Sequence, residues 1–217
     1  MDPRSSAAMY ELANLHIMNN DLVSAASLLE KSIAISPQNK WYKILLARIY
    51  QQTDKSEEAA ILYDQLSALE PNNPEYLFME AQEQAKAKKY DEAIKTLNEL
   101  EKRTGINEQV STAKQEVFVE AGKIKEAFAE INRLIASNPA DARYVGLLAD
   151  LYKDQGDKDN ALKNYLKILE MDPDNGFVNF SLSDFYLEKG DTVQSVNFLL
   201  KGFANEEVDM ETKLQLY

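Results

Sequence analysis

The fold is decided by residues 142–175, which read ARYVGLLADLYKDQGDKDNALKNYLKILEMDPDN. Apolar or small side chains recur there three or four residues apart, in two runs. The two runs are Val145, Leu148, Ala149 and Tyr152, followed by Ala161, Tyr165 and Ile168. Such spacing places the side chains of each run on one face of a helix. Gly156 lies between the runs and Pro173 follows them, and both residue types end helices. The stretch therefore predicts two helices joined by a short turn.

The same pattern returns along the chain at a fixed interval of 34 residues. Small residues keep this interval at Ala25, Ala59, Ala93, Ala127, Ala161 and Ser195, and a second series runs Pro37, Pro71, Gly105, Pro139, Pro173 and Glu207. A constant period of this length is typical of a helical repeat array. We therefore predict six blocks, 6–39, 40–73, 74–107, 108–141, 142–175 and 176–209. Residues 1–5 form an N-terminal leader, and residues 210–217 begin a further helix.

The repeat resembles that of the tetratricopeptide repeat family, whose period is also 34 residues. Positions are counted from the first residue of each block. The family places a large residue at position 4, Leu at 7, small residues at 8 and 20, an aromatic residue at 11, an aromatic or aliphatic residue at 24, and Pro at 32. The fifth block follows this pattern closely. The resemblance covers residues 6–209. It implies an all-α fold, a right-handed α-solenoid of about six helical hairpins with a C-terminal helix fragment. It also implies a non-enzymatic protein–protein interaction scaffold.

The third and fourth blocks depart from this pattern at positions that should be apolar. Glu80 and Lys114 occupy position 7, and Gln115 occupies position 8. Gly105 stands where the other blocks have proline. We expect the same hairpins there, with altered packing between the two blocks.

Composition limits the possible partners and chemistry. The net charge is −12, which disfavours nucleic acid and anionic membranes as partners and favours a basic protein segment. The chain has no cysteine, and His16 is its single histidine, so nucleophilic and metal-dependent catalysis have few suitable residues. We predict that His16 is a packing residue, that the protein is not an enzyme, and that it uses no cofactor or metal.

The resemblance implies that the first helix of each hairpin lines a concave groove. Carried over by position, the candidate partner-binding residues are Tyr10, Asn14, Trp41, Ile44, Arg48, Phe78, Gln82, Glu116, Glu120, Asp150, Asp154, Phe177, Phe180, Asp184 and Glu188. The N-terminal part of this set is mostly aromatic or uncharged, and the C-terminal part carries six carboxylates. We therefore predict a protein or peptide ligand that contains Lys or Arg, with an apolar anchor toward Trp41 and Phe78.

The sequence argues against one alternative function and leaves another open. Some family members clamp the acidic C-terminal tails of chaperones, but of the clamp residues only Asn14 is matched, because Tyr10, Leu45, Glu75 and Met79 replace the others. The chain could instead be an assembly module, one piece of a longer solenoid that self-associates weakly through its C-terminal end. The residues expected at that end are Phe198, Leu199, Leu200, Phe203, Leu214 and Leu216.

No signal peptide or apolar membrane span is recognisable, and the compartment stays unknown, since an export signal could have been removed.

Overall fold

A computed structural model describes residues 5–215 of the chain. Within this range the structure is all-α. The helices are α1 (Ser6–Met18), α2 (Leu22–Ile35), α3 (Lys40–Gln52), α4 (Ser56–Leu69), α5 (Pro74–Lys86), α6 (Tyr90–Thr104), α7 (Glu108–Glu120), α8 (Ile124–Ser137), α9 (Ala142–Asp154), α10 (Lys158–Met171), α11 (Gly176–Glu188), α12 (Thr192–Ala204) and α13 (Met210–Gln215). We call the odd-numbered helices α1 to α11 the A-helices and the even-numbered helices α2 to α12 the B-helices. Most of the expected leader, residues 1–4, lies outside the described range.

Residues at the helix ends explain where the helices begin. Five A-helices follow an Asn or Asp whose side chain accepts a hydrogen bond from a backbone N–H of the first turn. These capping residues are Asn39, Asn73, Asn107, Asp141 and Asn175. Such a cap satisfies one of the donors that a helix N-terminus leaves without an intrahelical partner. The B-helices α2, α4, α8 and α10 each end two residues before a proline, as the sequence pattern predicts.

The turn between the two helices of a hairpin contains a left-handed residue at position 15 of every block. Three of these residues are glycines, Gly122, Gly156 and Gly190, and the other three are Asn20, Asp54 and Lys88. A positive φ is favourable for glycine, tolerated by Asn and Asp, and strained for lysine. The hairpin geometry is therefore the same in all six blocks, although only half of them have the best residue for the turn.

The chain divides into two compact units, residues 1–124 and 125–217, which are described separately. In the first unit, each helix from α1 to α6 packs on the helix that follows it. The residues at position 20, Ala25, Ala59 and Ala93, are fully buried. Because alanine is small, each B-helix can approach its A-helix closely, and the larger side chains Leu29, Leu66 and Leu97 fill the remaining interior.

In the second unit, α9 packs on α10, α10 on α11, and α11 on α12. Its core contains Val145, Ala149, Ala161, Tyr165 and Leu182, all buried. These residues come from the positions that formed the predicted helix faces. The tetratricopeptide-like pattern is thus a packing pattern in this unit as well.

The two residues that break the pattern at position 7 are both buried and both bonded. Glu80 accepts hydrogen bonds from Gln84 Nε2 at 2.8 Å and Thr96 Oγ1 at 3.3 Å. Lys114 forms an ion pair with Glu101 of α6. The A-helices therefore keep their places in the array, with polar contacts where other blocks have apolar ones.

Candidate functional site

The N-terminal A-helices present fewer free aromatic rings than their sequence indicated. Tyr10 is half-buried against Tyr42, with ring centroids 5.1 Å apart. Ile44 is half-buried and packs on the core of the first unit. Trp41 is 60% exposed, and the Lys40 ammonium lies 5.1 Å from its ring centroid. Trp41 is therefore the accessible aromatic side chain of this region.

The polar candidates on the same helices differ in accessibility. Asn14 is half-buried, whereas Arg48 is exposed. The Arg48 guanidinium contributes to the electrostatics of Tyr63, whose pKa is raised mainly by burial. Arg48 is the one cation among the predicted site residues.

A cleft of about 790 Å³ lies between α5 and α7 and brings four predicted site residues together, Phe78, Gln82, Glu116 and Glu120. Its other lining residues are Ala81, Ala85, Lys86, Leu97, Glu108, Gln109, Thr112, Ala113 and Val117. Alanine, leucine and valine side chains form an apolar part of the wall, and Gln82 and Thr112 add groups that can donate and accept hydrogen bonds. The cleft was not predicted from the sequence, because the alanines that line it are common helix residues and give no signal of a binding site.

The charges at this cleft are unevenly compensated. Lys86 Nζ lies 2.7 Å from the Oε1 atom of buried Glu83, so its charge is already paired. Glu116 and Glu120 are exposed, and the structure gives neither of them an ion pair among residues 5–215. The side of the cleft formed by α7 is therefore acidic.

A second, smaller cleft in the C-terminal unit collects three further predicted residues, Asp154, Asp184 and Glu188. Lys153 and Lys158 lie on the same cleft, and Lys158 forms an ion pair with Glu188. This hydrogen-bonded pair lowers the pKa of Glu188. The two lysines reduce the local negative charge below what positions 9 and 13 alone indicated.

Asp150, the remaining predicted carboxylate of the C-terminal unit, is exposed and also bonds to a buried side chain. Its Oδ1 atom accepts a hydrogen bond of 2.7 Å from the Tyr165 hydroxyl. Burial, together with this carboxylate, raises the pKa of Tyr165 well above its ordinary value. Asp150 therefore has a structural contact in addition to any contact with a partner.

The prediction that Phe180 faces a partner is wrong. Phe180 is 2% exposed and packs edge-to-face on Phe203, with ring centroids 5.4 Å apart. Gly202 of α12 makes this possible, because a Cβ atom at that residue would lie 3.0 Å from the Phe180 ring. Phe177, the other phenylalanine predicted on this helix, is exposed.

Apolar side chains are exposed on α12, near the predicted self-association end. Val193, Val196 and Leu200 are exposed, as is Leu214 of α13. Phe198, Leu199 and Phe203 are half-buried. Leu216, which was expected to join them, lies outside the described residues.

The prediction that His16 is a packing residue is only partly met. His16 is half-buried, and its Nδ1 atom lies 3.0 Å from Asp21 Oδ2. Asp21 in turn caps α2 by accepting a hydrogen bond from Ser24 N. His16 thus supports a hairpin turn through a polar contact.

Two properties of the described residues bear on other classes of function. Between residues 5 and 215, no three His, Asp or Glu side chains are grouped so that they could hold a metal ion. No helix in this part of the chain has the length and apolar character needed to cross a membrane.

Comparison with protein families gives two matches, both to tetratricopeptide repeat models, at residues 17–83 and 142–175. No curated protein sequence matches the chain. Among solved structures, a tetratricopeptide repeat protein from Parabacteroides merdae is 16% identical, with 100% of this chain and 84% of the other covered and a TM-score of 0.53. MamA from Desulfovibrio magneticus, residues 41 to the end, is 20% identical over 77% of this chain and 95% of the other, with a TM-score of 0.51. At this level of identity the similarity concerns the fold.

Proposed function

The chain belongs to the tetratricopeptide repeat family, and from this premise we propose that it is a non-enzymatic scaffold that binds a basic protein segment along its A-helices. Stacked repeats offer a long surface on which an extended or helical segment can make many contacts. The six blocks, 6–39 to 176–209, are the proposed modules of the scaffold. The proposed partner-binding residues are those predicted from the sequence, without Phe180.

The observation that carries the proposal is a repeated pair of exposed carboxylates, found on α7 of the first unit and on α9 and α11 of the second. Positions 9 and 13 hold Glu116 and Glu120 on α7, Asp150 and Asp154 on α9, and Asp184 and Glu188 on α11. Glu188 is ion-paired, and the structure gives no ion pair to the other five within residues 5–215. Within each unit, a group of charges of one sign attracts groups of the opposite sign, which supports a partner rich in Lys or Arg.

The proposal is tested by peptide binding to charge-reversed protein. Synthetic peptides with Lys or Arg around a central apolar residue, and acidic peptides of the same length, are arrayed against the wild type and Asp154→Lys/Asp184→Lys. We expect the wild type to prefer basic peptides, with an affinity that falls as salt rises, because exposed charges are screened over ~8 Å at physiological ionic strength. The variant should lose this preference.

A matched control separates a specific surface from net charge. Asp159 and Glu170 are exposed carboxylates on the B-helix α10 of the same unit. The variant Asp159→Lys/Glu170→Lys changes the net charge by the same amount and should bind basic peptides as the wild type does. If both variants lose affinity equally, or if the wild type binds no peptide, the proposed function is wrong.

A second candidate function, self-association, is favoured by one observation on α12. Position 21 is buried in the first two blocks, at Ala26 and Ala60, whereas Val196 at the same position of the sixth block is 51% exposed. Val193 and Leu200 extend this apolar face of α12. Exposed apolar patches of this kind are common at protein contacts.

If a second copy covers α12, the mass measured by analytical ultracentrifugation should increase with protein concentration, and Val196→Glu/Leu200→Glu should abolish this increase. A wild type that stays monomeric at millimolar concentration would exclude this candidate.

A further inference from the structure

Two alanines, Ala85 and Ala113, line the cleft between α5 and α7. These alanines occupy position 12 of one A-helix and position 6 of the next, and Lys153 and Ser181, at the same two positions, line the smaller cleft of the C-terminal unit. The pairs at these positions are Ile17 and Leu45, Gln51 and Met79, Ala85 and Ala113, and Lys153 and Ser181. Ala85 and Ala113 are the only pair of these four in which both side chains end at Cβ. The cleft of about 790 Å³ lies beside this pair.

The residue at position 24 of the intervening B-helix reinforces the difference. Between α3 and α5 this residue is Tyr63, whose hydroxyl donates to Gln51 Oε1 at 3.0 Å. Gln51 Nε2 donates in turn to Glu83 Oε1 at 3.0 Å, so bonded polar side chains connect α3 with α5. Between α5 and α7 the corresponding residue is Leu97, which offers only a buried apolar surface.

The walls of the α5–α7 cleft define the chemistry of a fitting group. Phe78, Ala81 and Val117 extend the apolar surface around Ala85 and Ala113, so transfer of an aliphatic side chain from water into the cleft is favourable. Glu116 and Glu120 lie one helical turn apart on α7 and carry negative charge at the edge of that surface. Because Lys86 is paired with Glu83, it does not neutralise them.

We propose that the α5–α7 cleft is the specificity pocket of the scaffold, and that it takes an aliphatic side chain of the bound segment with a Lys or Arg directed to Glu116 and Glu120. This inference rests on the proposed function. It places the anchor of the segment at Ala85 and Ala113, and not at Trp41. The rim amide of Gln82 and hydroxyl of Thr112 can bond to the backbone of the segment.

The test fills the cleft with side chains that the chain itself uses at these positions. The variant Ala85→Ile/Ala113→Leu copies the pair Ile17 and Leu45 of the first two blocks. The control variant Ala34→Ile/Ala68→Leu adds the same side chains at exposed sites on the B-helices α2 and α4. The probes are a basic peptide of the array with a central Leu and the same peptide with Ala in place of that Leu.

The wild type and the control variant should bind the Leu peptide about tenfold or more tightly than the Ala peptide, as expected for loss of several buried methyl and methylene groups. The filled variant should bind the two peptides with nearly equal affinity, at the level of the Ala peptide. If the filled variant still prefers Leu by the wild-type factor, the pocket is not the anchor site and this inference is wrong, while the proposed function stands. If the wild type binds no peptide, both fail together.

Two further measurements keep the test decisive. Circular dichroism and the unfolding midpoint show whether the filled variant folds, and if it does not, Ala113→Leu alone provides the same test. The variant Glu116→Gln/Glu120→Gln should keep the preference for Leu over Ala and reduce the salt dependence of binding. A variant that loses the Leu preference and keeps the salt dependence would contradict the proposed division between apolar anchor and acidic edge.

Discussion

The second and third hairpins have the same backbone plan and different interiors. In the second hairpin, α3 and α4, position 7 is Leu46, and it is buried among Tyr50, Tyr63 and Leu66. In the third hairpin, α5 and α6, position 7 is Glu80, which is equally inaccessible. Yet each hairpin has a fully buried alanine at position 20 and a buried leucine at position 27.

The difference shows which positions define the hairpin and which can be exchanged. Alanine at position 20 sets the approach of the two helices, so it is the same in both hairpins. Position 7 requires a side chain whose polar atoms, if it has any, are satisfied nearby, since an unbonded buried polar group is costly. Glu80 meets this requirement through Gln84 and Thr96. Glu83, one turn along α5, meets it only in part, because its Oε2 atom has no hydrogen-bond partner among the described residues.

The largest effect is expected where the third hairpin meets α7. Lys114 is 3% exposed and pairs with Glu101. Lys114→Met takes the ammonium away from Glu101, and loss of one partner of a buried pair typically costs about 3–5 kcal/mol. The measurement is the free energy of unfolding in urea, followed by circular dichroism.

Two control variants sharpen this prediction. Lys114→Met/Glu101→Leu should restore most of the stability, because apolar residues of similar size often replace a buried ion pair without loss. Lys89→Met breaks the more exposed pair of Lys89 with Glu57 and should cost no more than about 1 kcal/mol. Equal losses in Lys114→Met and Lys89→Met would mean that the Lys114–Glu101 pair contributes no more to stability than a surface pair does.

The third hairpin should also respond to pH in a way that the second does not. Burial raises the pKa of Glu80 from 4.5 to about 7, and Asp64 on α4 and Glu99 on α6 add to the increase, whereas Thr96 and Gln84 oppose it. A raised pKa means that the folded state binds the proton more tightly than the unfolded state. The contribution of this proton to stability is therefore complete below about pH 4.5 and is lost as pH rises toward 7.

The size of this loss follows from the pKa difference and is on the order of 3 kcal/mol. Glu80→Gln replaces the carboxyl group by a neutral amide of similar shape, so its stability relative to wild type should rise between pH 4.5 and 7 and then level off. Chemical unfolding at pH 4.5, 6 and 8 measures this difference. A difference that is independent of pH would show that Glu80 titrates like an exposed carboxylate.

Comparison of the two hairpins also shows how far sequence reasoning could go. The 34-residue interval of Ala25, Ala59 and Ala93 predicts the hairpins, because a small residue at a close helix contact is a local requirement. The contacts of Glu80 with Thr96 and of Lys114 with Glu101 could not be predicted, since both partners lie on α6 and the contacts depend on side-chain reach. Within the candidate site, Phe180 was placed wrongly because position 5 alone does not reveal the space left by Gly202 on α12.

A larger side chain at position 20 should have a smaller effect on the free energy of unfolding, and the effect should be the same in the two hairpins. Ala59 and Ala93 are both fully buried. Ala59→Leu and Ala93→Leu should each cost about 1–3 kcal/mol, the usual result of overpacking. Urea unfolding of the two variants measures both values. If Ala93→Leu costs much less than Ala59→Leu, the interior of the third hairpin is packed less tightly than the interior of the second.

The smallest effect concerns the turn of the third hairpin, and it should be stabilising. Lys88 has φ of 60°, and the same position is glycine in the last three hairpins. A left-handed conformation costs an L-residue roughly 1–2 kcal/mol, and glycine avoids this cost while losing about 0.5–1 kcal/mol more conformational entropy on folding. Lys88→Gly should therefore stabilise the protein by about 0.5–1 kcal/mol. For a chain of this length the gain corresponds to an increase of about 2 °C in the melting temperature. Lys88→Ala removes the same charge but keeps the Cβ atom, so it should give no increase. If both variants raise the melting temperature equally, the gain comes from removing the lysine charge and not from relief of strain in the turn of the third hairpin.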